Sequence, residues 1–247
     1  MDIKQYNAKF KKQSNPKVGL IALSTDQTIE RDFNNICKNL PLDVFINRIH
    51  NQNPLTKENL LKMENDLASV TNKILPEEKV NTIAYGCTSG TIAIGENKVK
   101  EKILSVKPDC YVTTPITSAI KAFKQLNIKT IALFTPYPNE VNQTILEYFK
   151  QKKVEVASLA GLNLNFDSEF AQVDPNYILE ILSKLEMKKA DAIFISCTAL
   201  PVLNILNKLE NKIQKPVLSS NQTLIWDTIR SIGYRSPIKG FGKLFEN

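Results

Sequence analysis

The sequence predicts an α/β protein built from two similar Rossmann-like lobes, each with a parallel sheet, related by a pseudo-twofold axis. Short apolar runs rich in β-branched residues alternate with longer amphipathic stretches, as they do in βαβ units. Several runs, such as VGLIAL at 18–23 and DAIFIS at 191–196, are apolar without clean alternation. That pattern is typical of parallel strands that are covered on both faces. A repeated Cys-Thr motif, described below, indicates the two lobes.

The periodicities assign strands and helices in alternation along the whole chain. The predicted strands are 17–23, 43–49, 80–86, 109–112, 129–134, 153–158, 190–196 and 215–219. The predicted helices are about 27–39, 57–74, 88–104, 116–126, 138–151, 175–187, 200–212 and 221–232.

The repeat consists of an apolar strand, a small residue and then Cys-Thr, and it occurs at 87–88 and again at 197–198. Upstream, the segments 19–26 and 130–137 also match each other, and they end 61 and 60 positions before their cysteines. Agreement to within one residue over that distance predicts a duplicated lobe.

We therefore assign 1–113 plus 217–247 to an N-terminal lobe and 114–216 to a C-terminal lobe. In this division, we expect the last strand and helix to cross back and complete the first lobe. In open α/β sheets ligands bind beyond the carboxyl ends of the strands, so the active site is expected in the cleft between the lobes.

Composition excludes several classes of protein. The 247 residues are 43% hydrophobic and carry a net charge of +7, with no apolar run long enough for a membrane helix and no signal-peptide pattern at the start. The positive charge is scattered and lacks a nucleic-acid-binding module. We expect a cytoplasmic protein, a homo-oligomer, that binds a small molecule and neither nucleic acid nor membrane.

The chemistry is expected to need no metal and no cofactor. The single histidine, His50, excludes a His-rich zinc site, and no CxxC pair replaces one. With eight glycines the chain has neither GxGxxG nor a P-loop motif. Proton transfer is then left to other side chains.

The two Cys-Thr motifs are the candidate machinery. Cys87 and Cys197 each follow a strand where a helix is predicted to begin, and N–H groups there lower the pKa of a thiol. An opposed pair of thiols suits proton transfer on two faces of a carbon, or addition of one thiolate to a double bond. The alternative is that both are buried structural cysteines. Cys37 and Cys110 lack this setting and are assigned to the core.

At these residues the sequence resembles the Asp/Glu racemase superfamily, two-lobed enzymes without cofactor that use one cysteine from each lobe. YGCTSGT (85–91), TPYPNEVN (135–142) and SCTALP (196–201) resemble its branch of maleate cis-trans isomerases and arylmalonate decarboxylases. Three further segments resemble the ectoine-utilisation proteins called EutA: LSTDQTIERDF, NPLTKENLLKME and KPVLSSNQTLIWD. The resemblance extends over about residues 17–232.

The resemblance implies roles for several positions. Cys87 and Cys197 match the catalytic cysteines. The residues that match the binding elbow for a carboxylate or enolate are Thr88, Ser89 and Thr198. Tyr137 matches a tyrosine that hydrogen-bonds a substrate carboxylate. The decarboxylases lack the first cysteine, so Cys87 disfavours that activity.

Two aspartates depart from the maleate isomerase pattern, which has Asn where this chain has Asp26 and Asp167. A carboxylate would repel a dianionic substrate but suits a substrate ammonium group. Asp26 is equally suited to capping the helix predicted from position 27, and Asp167 to a loop.

The leading hypothesis is a racemase or isomerase of a small carboxylate, an amino acid resembling aspartate or 2,4-diaminobutyrate, with Cys87 and Cys197 as acid and base. Maleate cis-trans isomerisation, arylmalonate-type decarboxylation and a non-catalytic binding protein remain the alternatives.

Overall fold

Two four-stranded parallel sheets flanked by helices form the protein, as seen in a computed structural model that describes residues 3–10, 14–187 and 189–246. The strands are β1 Lys17–Leu23, β2 Asp43–Ile49, β3 Thr82–Tyr85, β4 Tyr111–Thr113, β5 Thr130–Thr135, β6 Glu155–Gly161, β7 Ala192–Ile195 and β8 Val217–Ser219. The helices are α1 Ile29–Cys37, α2 Lys57–Lys62, α3 Leu67–Asn72, α4 Thr88–Ile94, α5 Glu96–Leu104, α6 Pro115–Gln125, α7 Asn139–Gln151, α8 Asp167–Gln172, α9 Pro175–Ser183, α10 Leu206–Ile213 and α11 Ser220–Ser231. The predicted α/β class is confirmed.

The two sheets repeat one topology. Their strand orders are β2-β1-β3-β4 and β6-β5-β7-β8, and every neighbouring pair is parallel. The central strands β1, β3, β5 and β7 are almost wholly buried, which explains their unbroken apolar runs. The edge strands β2 and β6 instead have exposed side chains at several positions along the strand.

Two predicted helices are interrupted, and one helix forms where none was predicted. The helix predicted at 88–104 is split because Gly95 has φ +96°, a conformation that ends α4 and that glycine adopts without strain. The helix predicted at 57–74 is interrupted by a 3-10 turn at Met63–Asn65, where Asn and Asp favour local turns over helix. The helix α8 lies in a segment predicted as a loop.

The last strand does not return to the first lobe. β8 pairs with β7, so the expectation that it completes the first sheet is wrong. The reason is register: Ile193 to Ile195 align with Val217 to Ser219, which extends the second sheet as β4 extends the first.

The helix after β8 does cross over, and its counterpart crosses in the other direction. α11 contacts the first lobe, where Ser231 and Thr82 share a hydrogen bond of 2.6 Å between their hydroxyls. In α6, which follows β4, Phe123 packs edge-on against Phe194 of β7 with ring centroids 5.4 Å apart. Each lobe is therefore covered by a helix that follows the other lobe's last strand.

A buried carboxylate fixes this crossing. Asp227 of α11 accepts hydrogen bonds from Thr113 at 2.7 Å, Ser118 at 3.0 Å and Tyr111 at 3.1 Å, and pairs with Lys121 at 2.7 Å. Because these partners come from β4 and α6, one side chain joins the two crossing helices to the first sheet. No helix among the described residues is long and apolar enough to cross a membrane.

Candidate active site

The first cysteine caps a helix at the carboxyl end of β3. Cys87 is the N-cap of α4, and its Sγ accepts a hydrogen bond from the Gly90 N–H at 3.2 Å. A Cβ at Gly90 would lie 2.7 Å from this sulfur and 2.9 Å from the Tyr85 hydroxyl, so only glycine permits the approach. The Cys87 carbonyl is held in turn by the N–H and the hydroxyl of Thr91, at 3.2 and 2.6 Å.

The second cysteine occupies the equivalent strand end without a following α-helix. After Cys197 the chain makes an irregular turn, then a 3-10 turn at Leu203–Ile205, and only then α10. The helix predicted from 200 therefore begins later, at Leu206. The Ala199 N–H still lies near the Cys197 thiol and lowers its pKa.

The two cysteine elbows, defined as 86–89 and 196–199, meet between the lobes. The Thr198 hydroxyl donates to the Gly86 carbonyl at 3.3 Å, and the Thr28 hydroxyl donates to the Ala199 carbonyl at 2.9 Å. Buried Tyr137 lies near both thiols, and burial together with Cys197 and Cys87 raises the pKa of its hydroxyl. The structure thus brings both predicted cysteines and the predicted tyrosine together.

The remaining elbow residues are used within the protein. The Thr88 hydroxyl donates to the Ser220 hydroxyl at 2.9 Å, and the Ser89 hydroxyl lies 3.9 Å from the Cys87 sulfur. All of them are at most 5% exposed, as are both cysteines. The cleft is therefore closed over the thiols in this conformation.

Asp26 caps a helix with only one of its two carboxyl oxygens. Its Oδ1 accepts from the N–H groups of Thr28 and Ile29 at 2.7 and 2.9 Å. Its Oδ2 is buried and, within the described residues, has no hydrogen-bond partner, since the nearby Thr198 hydroxyl donates to Gly86. Burial raises the pKa of this carboxyl. The two alternative roles for Asp26 are thus compatible.

The side chain of Asp167 is buried and reaches across the cleft, where a loop position was the alternative. It is the first residue of α8, is 4% exposed, and accepts hydrogen bonds from the Thr25 hydroxyl and, at 2.8 Å, from the Asn51 amide. Nearby, the Leu55 N–H donates a hydrogen bond of 2.9 Å to the Asn165 carbonyl. Burial raises the pKa of Asp167, and these contacts join the lobes over the elbows.

Both thiols are weak acids in this closed state. Burial raises the pKa of Cys87 to about 12 and places that of Cys197 well above its ordinary range. The amide donors lower both values, but the neighbouring carboxyls of Asp167 and Asp26 raise them further. The prediction that helix-start donors yield low-pKa thiols is therefore wrong here, because burial and two carboxyls outweigh the donors.

Several residues near the elbows escape prediction from sequence. Tyr85 lies against Cys87, Asn51 holds Asp167, and Asp32 accepts a 2.8 Å hydrogen bond from Asn221 behind the second elbow. Tyr85, Asp32 and Asn221 lie in YGCTSGT, LSTDQTIERDF and KPVLSSNQTLIWD, and the resemblance of these segments to known families was the available signal. No group of three or more His, Cys, Asp or Glu side chains in the described part of the chain is arranged to hold a metal ion.

Comparison with known proteins places this site in a family. The sequence profile of the arylmalonate decarboxylase family matches residues 73–245, which include both cysteine elbows and most of the chain. The chain belongs to the arylmalonate decarboxylase family.

Proteins similar to this chain include maleate isomerases, both among its sequence relatives and among solved structures of the same fold. The maleate isomerase of Geobacillus stearothermophilus is 24% identical over 244 residues, covering 92% of this chain and 96% of that protein. The crystal structure of the maleate isomerase Iso from Pseudomonas putida S16 has a TM-score of 0.88 at 22% identity, covering 94% of this chain and 98% of that one. A mutant of the Nocardia farcinica maleate cis-trans isomerase with a covalently bound succinylcysteine intermediate has a TM-score of 0.86 at 17% identity, with coverage of 94% and 98%.

Proposed function

We propose that the protein is a cofactor-independent isomerase of a small carboxylate, with Cys87 and Cys197 as its acid and base. The observation that carries the proposal is the contact of the two cysteine elbows, where the Thr198 hydroxyl next to Cys197 donates at 3.3 Å to the carbonyl of Gly86, which precedes Cys87. A substrate held there would have one thiol on either side. Such an arrangement suits chemistry on two opposite faces of one carbon.

The proton transfer balances without any further reagent. The thiolate of one cysteine removes the proton from the carbon next to the carboxylate and becomes a thiol. The opposite thiol then gives its proton to the other face of that carbon and becomes the thiolate. Donors at the elbows would stabilise the enolate-like charge formed between these steps.

The carboxyls near the thiols favour a substrate that carries an ammonium group. Asp26 leaves one buried oxygen unpaired, and Asp167 lies close enough to affect the same thiols. An ammonium group against Asp26 would offset the negative charge that raises the pKa of both thiols, so substrate binding itself would favour a thiolate. An amino acid resembling aspartate or 2,4-diaminobutyrate fits, in line with the resemblance to ectoine-utilisation proteins.

Maleate cis-trans isomerisation is the second candidate. The maleate isomerases of Geobacillus stearothermophilus and Nocardia farcinica are similar to this chain over 92% of its length, and a mutant of the Nocardia protein has a covalently bound succinylcysteine intermediate. By that route a cysteine thiolate adds to one carbon of the double bond and leaves after rotation about the resulting single bond. The buried carboxyls Asp26 and Asp167 weigh against this substrate, because maleate is a dianion.

The reaction can be identified by proton NMR in heavy water with aspartate, 3-hydroxyaspartate, 2,4-diaminobutyrate, maleate and phenylmalonate. Loss of an α-proton signal from an amino acid, as deuterium replaces the proton, is the expected result. Fumarate from maleate would support the second candidate, and CO2 from phenylmalonate would support decarboxylation. Normal calorimetric binding with no change in any substrate would overturn the proposal of an enzyme for these compounds.

Replacing Asp26 tests the ammonium contact. Asp26→Asn keeps an oxygen to accept from Thr28 and Ile29, so the cap and the melting temperature should be retained. Loss of the charged partner is expected to lower kcat/KM for the amino acid by roughly 10- to 100-fold and to improve maleate relative to it. Steady-state kinetics on both substrates measures this, and an unchanged ratio would contradict the assigned contact.

A further inference from the structure

The first turn of α11 lies between the two cysteine elbows. It contains the SSNQ segment at 219–222, which the proposed reaction leaves without a role. Ser220 accepts a hydrogen bond from the Thr88 hydroxyl of the first elbow at 2.9 Å. The next residue, Asn221, donates from its amide to the Thr198 carbonyl of the second elbow at 2.8 Å. One turn of helix therefore touches both elbows.

Further hydrogen bonds hold this turn rigidly in place. Ser219 and Gln222 form a reciprocal capping box, and the Gln222 amide donates to the Phe241 carbonyl at 2.6 Å. The Thr223 hydroxyl reaches the Pro115 carbonyl at 3.3 Å, which links the turn to the start of α6. Ser219 to Thr223 are at most 2% exposed. A rigid, buried turn is able to fix the position of whatever it contacts.

The two elbows differ in how much they need such support. The carbonyl of Cys87 is held by its own helix, through the N–H and hydroxyl of Thr91. The second elbow has no α-helix until Leu206, so the peptide after Cys197 lacks that support. The Thr198 carbonyl instead accepts from Asn221, whose amide also donates to the Asp32 carboxyl at 2.8 Å.

We propose that Asn221 is a positioning residue that takes the place of the missing helix and holds the Cys197–Thr198 peptide in register with Cys87. This inference rests on the proposed function, in which two thiols act on one carbon. Removal of the amide leaves the Thr198 carbonyl and the Asp32 carboxyl unpaired and frees the second elbow to shift. A displacement of about 1 Å at a reacting group costs on the order of 10²-fold in rate.

Kinetics of Asn221→Ala test the role in turnover. We expect kcat to fall by about 10²-fold while KM changes less than about twofold, because Asn221 acts through the elbow and not on the substrate. Thr228→Val is the matched control: Thr228 is buried on the same helix, and its hydroxyl donates only to the Leu224 carbonyl at 2.7 Å. Wild-type kcat in Asn221→Ala would overturn the proposal.

Thiol labelling tests the same role without any substrate, so it separates this inference from the proposed reaction. Labelling with iodoacetamide, followed by peptide mass spectrometry, should be about tenfold faster at Cys197 in Asn221→Ala and unchanged at Cys87. Equal acceleration at both thiols, or none, would overturn the positioning role. If the alanine variant does not fold, Asn221→Ser keeps one donor and is read by the same two measurements.

Discussion

Cys197→Ala and Cys87→Ala are each expected to lower kcat by about 10³-fold or more. General acid-base catalysis by a positioned group contributes about 10²- to 10⁴-fold, and a reaction that needs both groups fails when either is removed. Alanine keeps the hydrogen bonds to the Cys87 and Thr198 carbonyls, and Cys87→Ala removes the hydrogen bond from the Gly90 N–H to the sulfur. Racemisation of a single enantiomer of the amino acid substrate, followed by polarimetry, measures the loss.

The single variants also distinguish two thiols on opposite faces from one thiol acting alone. In Cys87→Ala the remaining thiol should still exchange the α-proton of one enantiomer, and Cys197→Ala should exchange that of the other. Cys37→Ala and Cys110→Ala serve as controls, since both cysteines are buried away from the elbows and should leave kcat unchanged. Wild-type rates in either elbow variant, or exchange of the same enantiomer by both, would refute the two-thiol mechanism.

Asp32→Asn is expected to stabilise the protein at high pH. Burial raises the pKa of Asp32 from 3.8 to about 7, only partly offset by the Asn221 amide and by Arg31. The folded state therefore binds more protons than the unfolded state between about pH 4 and pH 7, and this group's contribution to the free energy of unfolding falls as pH rises through that window. A neutral side chain avoids the loss, which amounts to about 4 kcal/mol above pH 7 at about 1.4 kcal/mol per pKa unit.

Urea unfolding of wild type and variant at pH 5 and pH 8 measures this effect. The gain should be larger at pH 8, and the Asn side chain can still accept the Asn221 hydrogen bond. Asp191→Asn is the control, because its carboxylate is exposed and its pKa is lowered by the N–H groups of Lys129 and Thr130. A gain for Asp32→Asn that is equal at both pH values would show that charge burial is not its cause.

The parts of the fold with a local signature could be predicted from the sequence. The central strands are recognisable because their apolar runs are buried on both faces, and the elbows because the Cys-Thr motif occurs twice. The interruption at Gly95 and the pairing of β8 with β7 could not be predicted in this way. One depends on a single backbone conformation, and the other on a choice between two sheets with similar edges.

The site was predictable only where one residue carried the chemistry. Asn51 and Asn221 contact Asp167 and Asp32 from 116 and 189 positions away, and no spacing in the sequence reveals such pairs. The direction of the pKa shifts of the thiols also could not be predicted from the sequence, because it depends on burial and on carboxyls brought in from both lobes.

The exchange of α6 and α11 between the lobes has a consequence for the origin of the molecule. Either half, taken alone, would leave an apolar face of its sheet uncovered. Its own last helix would have no surface to pack against, as the contact of Phe123 with Phe194 illustrates. An ancestral single-lobe chain would have met both needs by pairing with an identical copy and lending it that helix.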